Sequence, residues 1–129
     1  MRILLDTHVA IWALTQPRLI PDRIGSVIKE EETSVFVSVA VIWEIAIKSS
    51  LNRASAPDVD AARIVQMCND AAYEIVPVTP AHAVAVASLP HIHADPFDRI
   101  MIAQAIIEPM RLVTHDKVVA AYDKNFLSW

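Results

Sequence analysis

Along the chain, short continuous apolar runs alternate with longer stretches in which apolar residues recur every three or four positions. The run Arg2-Ile3-Leu4-Leu5, closed by Asp6, predicts a buried strand. A short helix is expected over residues 9–14, stopped by Pro17. Pro21-Asp22 opens an amphipathic helix through Ile24, Val27 and Ile28 that closes on the charged run 29–32. Val35, Phe36 and Val37 give Ser34–Ser38 the β-branched and aromatic content of a second buried strand. Val39–Ser50 lacks strand-like alternation and predicts a helix.

Beyond a polar loop at 52–57, a helix is expected over 58–72 with Ile64, Val65 and Met67 inward, then a third strand over 74–78. Thr79-Pro80 places an N-cap before a proline at the first helical position and starts a helix to about Ser88. Asp95-Pro96 repeats that signal after a loop at 89–94, and its helix ends at Glu108-Pro109. Arg111–Thr114 reads as a fourth strand and 118–122 as a last short helix. Strands alternating with helices predict an α/β fold, one domain over residues 1–129, on a mainly parallel sheet of four or five strands flanked by helices. Ligands in such folds gather beyond the carboxyl ends of the strands.

Composition narrows the chemistry. The single glycine, Gly25, excludes glycine-rich phosphate loops and dinucleotide fingerprints. Eleven Lys and Arg against 15 Asp and Glu give a net charge of -4, which disfavours nucleic-acid binding by bulk charge. Lone Cys68 excludes an intramolecular disulfide and a multi-cysteine zinc site, and suits a reducing cytoplasm. The richest apolar stretch, 35–43, is about half the ~20 residues of a membrane span, so a soluble protein without membrane association is expected. With 54% hydrophobic residues and a mean hydropathy of +0.38, the chain has apolar surface to spare for a partner.

Five acids sit at the ends of apolar elements. Asp6 follows the first strand, Asp116 comes two residues after the fourth, and Asp95 and Asp98 open the Pro96 helix. Glu44 is the only ionisable residue between Ser34 and Ile47. Each also has a plain structural use: Asp6, Asp95 and Asp116 as helix caps, Asp98 against a helix dipole, and Glu44 paired with Lys48 one turn on. Their joint placement points further, because carboxylates meeting at one sheet edge repel unless a divalent cation lies between them. Hard oxygen ligands suit Mg²⁺ or Mn²⁺.

Leu4-Leu5-Asp6-Thr7-His8, Trp43-Glu44-Ile45-Ala46-Ile47-Lys48, His93-Ala94-Asp95-Pro96-Phe97-Asp98-Arg99 and Leu112-Val113-Thr114-His115-Asp116 together resemble the PIN-domain ribonucleases, in particular the VapC-type toxins of toxin–antitoxin pairs. The third segment is the most specific, and the four occur in the family's order over essentially the whole chain. The resemblance implies a Rossmann-like PIN fold and a metal-dependent endoribonuclease that leaves 5′-phosphate and 3′-hydroxyl ends. It implies that Asp6, Glu44, Asp98 and Asp116 bind Mg²⁺ or Mn²⁺, with Asp95, Thr7, Thr114 and Arg99 in secondary places. Arg99 is expected to pair with an acid or touch a phosphate. The implied partners are an RNA substrate, a cognate antitoxin and a second copy of the chain, in the cytoplasm.

Other features weigh less. His91-Ile92-His93 resembles the His-x-His motif of amidohydrolases, but 129 residues cannot build the barrel that motif needs, so loop packing or a substrate contact is expected. Trp12 and Trp43 are read as core or dimer interface rather than as base-stacking platforms, and Phe126 and Trp129 as packing for the C-terminal end. Lys48, Arg53, Lys117 and Lys124 are the candidates for contacts to a nucleic-acid backbone. Two other functions fit parts of the pattern. A small metal-dependent phosphatase could use the same acids. A receiver-like signalling module needs an acid at the end of the third strand, where Val76-Pro77-Val78 has none.

Overall fold

Apolar runs that are followed almost at once by helices leave little chain between a strand and the side chains that crown it. A computed structural model describes residues 1–51 and 58–129, so the expected loop at 52–57 lies outside the described residues. The first strand, β1 (Arg2–Leu5), is followed after Asp6 by α1 (Thr7–Thr15), whose start precedes the expected residue 9 because Asp6 caps it. A short 3-10 turn, Pro17–Leu19, leads to α2 (Asp22–Lys29). Then β2 (Ser34–Ser38) runs directly into α3 (Val39–Ser50), capped by the Ser38 hydroxyl on the Ala40 N–H at 3.0 Å.

The next helix, α4 (Ala61–Asp70), is shorter than expected because the Asp60 carboxylate accepts from the Arg63 N–H at 2.7 Å and fixes the start there. Ile64 and Cys68, one turn apart, are its buried positions; Val65 and Met67 are half-buried. Ala72 then takes a left-handed conformation (φ 59°) to turn the chain toward β3 (Glu74–Val76). That strand stops two residues early, since Pro77 has no N–H for the ladder.

The Thr79 capping box starts α5 (Pro80–Ala85), a 3-10 turn covers Val86–Ser88, and α6 (Pro96–Ile107) begins at the expected proline. Last come β4 (Arg111–Thr114), α7 (Lys117–Ala120) and β5 (Leu127–Ser128). The final helix is shifted from 118–122 by the Asp116 cap, and β5 has only two residues, too few to read as a strand from sequence.

All pairings are parallel, and the strand order is β3-β2-β1-β4-β5. The chain winds outward from β1 to β3, returns beside β1 as β4, and winds out again to β5. Helices on both faces bury Ile3, Leu4, Leu5, Leu112 and Val113 completely. The reversal of direction between β1 and β4 opens a crevice at their carboxyl ends, where ligands of doubly wound sheets bind.

Candidate active site

Asp6 and Asp116 flank that crevice and are joined through one hydroxyl. Thr114, fully buried at the end of β4, donates to Asp6 Oδ2, and its Oγ1 accepts the Asp116 N–H at 3.0 Å. Asp6 Oδ1 accepts from the Val9 N–H at 3.0 Å, and Asp116 Oδ1 from the Val118 N–H at 2.8 Å, so both acids also cap helices. Glu44 enters from α3. The Thr7 hydroxyl donates to its Oε1 at 2.7 Å, and Lys48 Nζ reaches its Oε2 at 2.6 Å. Asp6 and Glu44 are each only 6% exposed.

Asp98 lies in the first turn of α6, its N–H held by the Asp95 side chain at 3.0 Å. Its Oδ2 meets His93 Nε2 at 3.0 Å, and His93 Nδ1 meets the Tyr122 hydroxyl at 2.8 Å. Asp95 is thus the cap of α6, exposed to solvent.

The fields at these carboxyls report on one another. Burial pushes Asp6 up from 3.8 to about 6; Thr114, Val9 and nearby His8 pull it down, and Asp98 pushes it further up. Burial also pushes Asp98 up. The His93 hydrogen bond opposes this, while Asp95 and Glu44 add to the rise. Asp98 therefore lies within range of the charge of both Asp6 and Glu44, and Asp116 is tied to Asp6 through Thr114.

A donor set of carboxylates under mutual repulsion fits a hard divalent cation in kind. Among the described residues, no three His, Cys, Asp or Glu side chains converge tightly enough to hold an ion as they stand. Most of their oxygens already hold hydrogen bonds: both of Glu44 with Thr7 and Lys48, both of Asp6 with Thr114 and Val9, and Asp98 Oδ2 with His93.

Two clefts meet here. One of about 540 Å³ is lined by Asp6 and Asp116, together with Lys117 and Trp129. The other, about 600 Å³, is lined by Thr7, Glu44, Lys48 and Arg63. His8 and Trp12 line both and form the divide.

Arg99 requires a correction. It is only 8% exposed and meets no carboxylate among the described residues. Its guanidinium donates to the carbonyls of Pro90 (2.9 Å), Val86 (3.2 Å) and His93 (3.3 Å) and to the Tyr122 hydroxyl (3.0 Å). A buried guanidinium must have its N–H groups satisfied, and here main-chain carbonyls of residues 86, 90 and 93 and the Tyr122 hydroxyl do so in place of an acid.

Trp43 is not core either: it is 58% exposed and meets Phe97 edge-on at 5.1 Å. Trp12 is half-buried in a group with His8, His115 and Trp129. Phe126 is buried as expected, Lys117 and Lys124 are exposed, and Arg53 lies outside the described residues. Sequence reasoning missed His93 as the partner of Asp98 and Tyr122, because only its HxH spacing drew notice.

A family profile described as PIN domain matches residues 3–125. A search of curated proteins finds no match. Among solved structures, VapBC2 from Rickettsia felis bound to a DNA fragment from their promoter matches with TM-score 0.66 at 16% identity, covering 100% of this chain and 98% of that one. DNA-bound VapBC from Salmonella typhimurium gives TM-score 0.66 at 14% identity, with coverage of 100% and 97%. VapBC-1 from nontypeable Haemophilus influenzae gives TM-score 0.63 at 12% identity, again covering 100% and 97%. At these identities the likeness is one of fold.

Proposed function

From the premise that this chain belongs to the PIN-domain family, we propose that it is a metal-dependent endoribonuclease of the VapC toxin type. The observation that carries the reading is that Asp98 lies near both Asp6 and Glu44, with Asp116 tied to Asp6 through Thr114. Asp6, Glu44, Asp98 and Asp116 would hold Mg²⁺ or Mn²⁺. When bound, such a cation supplies positive charge to a phosphate and makes a nearby water more acidic.

The chain's own residues prepare that site. The Thr7 and Thr114 hydroxyls hold Glu44 and Asp6 by one oxygen each, fixing both carboxylates on rigid elements. Lys48 neutralises part of the charge on Glu44, and His93 holds Asp98 by a hydrogen bond. The reaction adds water across a P–O bond of RNA, giving a 5′-phosphate and a 3′-hydroxyl.

The VapBC neighbours support a cognate antitoxin as partner. Exposed Trp43, Val39 and Val84 support a homodimer. No helix among the described residues is long and apolar enough to cross a membrane, and a cytoplasmic location accompanies the RNA substrate in this proposal.

The test is incubation of the purified protein with structured RNA. Cleavage is expected with Mg²⁺ and none with EDTA, and Asp98→Asn should lose cleavage while keeping the thermal transition. Cleavage in EDTA, no cleavage at all, or full activity in Asp98→Asn would overturn the reading.

A further inference from the structure

The cleft beside Asp6 and Asp116 is walled by rings, which neither carboxylate chemistry nor the fold requires. His115 stacks on Trp129 with centroids 4.8 Å apart and planes 24° from parallel, and its Nδ1 meets the Trp129 main-chain oxygen at 2.6 Å. Trp12 meets His115 edge-on at 5.8 Å, with Trp129 at 6.1 Å and His8 at 5.9 Å. His8 and His115 are exposed and the two tryptophans half-buried, so the group presents ring surface to solvent. Rings serving only as core would be covered. Here they line a cleft of about 540 Å³, within the ~300–1,000 Å³ usual for small-ligand sites.

We propose that the His115–Trp129 stack, backed by Trp12, is a platform for one unpaired nucleobase of the RNA, next to the acids that line the same cleft. The inference rests on the endoribonuclease reading and deepens it. An aromatic stack recognises the π-face that every base has and reads no hydrogen-bonding edge. It therefore selects for an unstacked nucleotide, of the kind that loops and bulges offer, and tolerates its identity. Lys117, exposed in the same cleft, is placed to meet the adjoining backbone. A chain with a net charge of -4 gains from such contacts, because stacking does not depend on bulk charge.

The experiment uses the full chain in EDTA, where cleavage is expected to be absent, and reads the affinity for a fluorescent single-stranded RNA decamer by anisotropy. His115→Ala and Trp129→Ala should each weaken binding about 5-fold or more, as loss of one stacked base does. His115→Phe, which keeps a ring, should restore it. A decamer abasic at every position should bind the wild type more weakly than the normal decamer does, and His115→Ala should bind that abasic decamer no more weakly than the wild type does. Unchanged affinity in both alanine variants, or equal affinity of the wild type for the normal and the abasic decamer, overturns the platform. If those results accompany normal Mg²⁺-dependent cleavage by the wild type, only the platform falls; if the wild type neither binds nor cleaves any RNA, both readings fall.

Discussion

Replacing Asp6 by Asn should stabilise this protein at neutral pH. Burial holds the Asp6 carboxyl at about 6 rather than 3.8, so its ionised form is disfavoured in the native state. At pH 8 that difference costs the native state about 3 kcal/mol, at 1.36 kcal/mol per pKa unit. A raised carboxyl favours the native state while protonated, so the wild type loses stability as pH rises from 3.8 toward 6 and is flat above.

Asn carries no charge yet can still accept from the Val9 N–H as a cap, and its amide can face the Thr114 oxygen. In EDTA at pH 8, Asp6→Asn should therefore melt about 10 °C above the wild type. The gap should fall to roughly half near pH 5 and nearly close at pH 4. Saturating Mg²⁺ should narrow it by stabilising only the wild type. The assay is thermal denaturation followed by circular dichroism across pH 4–8, with urea melts as a check. An Asp6→Asn protein no more stable than wild type at pH 8, or a gap independent of pH, would refute the burial argument.

Removing Lys48, which meets the buried Glu44 carboxylate at 2.6 Å, leaves that charge without its counter-ion, so Lys48→Met should cost about 1–3 kcal/mol without metal. The same variant should gain more from a Mg²⁺ titration than the wild type, because Glu44 then lacks the cation that meets it among the described residues; equal gains in melting temperature would place Glu44 away from the ion. His82 is fully buried, meets Glu108 at 2.6 Å and takes the Thr79 N–H at 3.0 Å. His82→Ala should lose about 2–4 kcal/mol in urea unfolding, mostly from packing and the orphaned N–H, since Glu108 is part-exposed. Exposed Ala72, at φ 59°, should gain about 1 kcal/mol as Gly by relief of left-handed strain, read from the urea midpoint.

Elements set by local chemistry were legible in the sequence. The bounds Arg2–Leu5, Ser34–Ser38 and Val39–Ser50 follow from buried strands built on unbroken three-residue apolar runs and from a helix without alternation. The caps at Asp95 and Thr79 were legible for the same reason: a polar residue before proline acts within one turn. Asp60 caps its helix with no proline after it, so the sequence does not distinguish it from Asp58, where the expected helix starts.

What could not be read depends on distance in sequence. Arg99 meets carbonyls 6, 9 and 13 residues away, and His93 meets a hydroxyl 29 residues on. The stacking of His115 on Trp129 likewise depends on β5 returning beside β4, a pairing of two residues that no periodicity announces.

The sharing of Asp6 and Asp116 between helix starts and the acid edge has a genetic consequence. If expression harms the host, surviving clones carry inactivating mutations. Most replacements at these codons would remove a cap along with the carboxylate, weakening the fold and exposing the chain to proteolysis. Among the replacements that one base change can reach, Asn keeps a side-chain cap oxygen while discarding the charge, and a G-to-A transition in either aspartate codon produces it. Selection for survival with the full-length protein still present should therefore recover Asn at positions 6 and 116 repeatedly. Such alleles would leave a folded chain able to titrate its partner, and they would behave as dominant antagonists rather than as nulls.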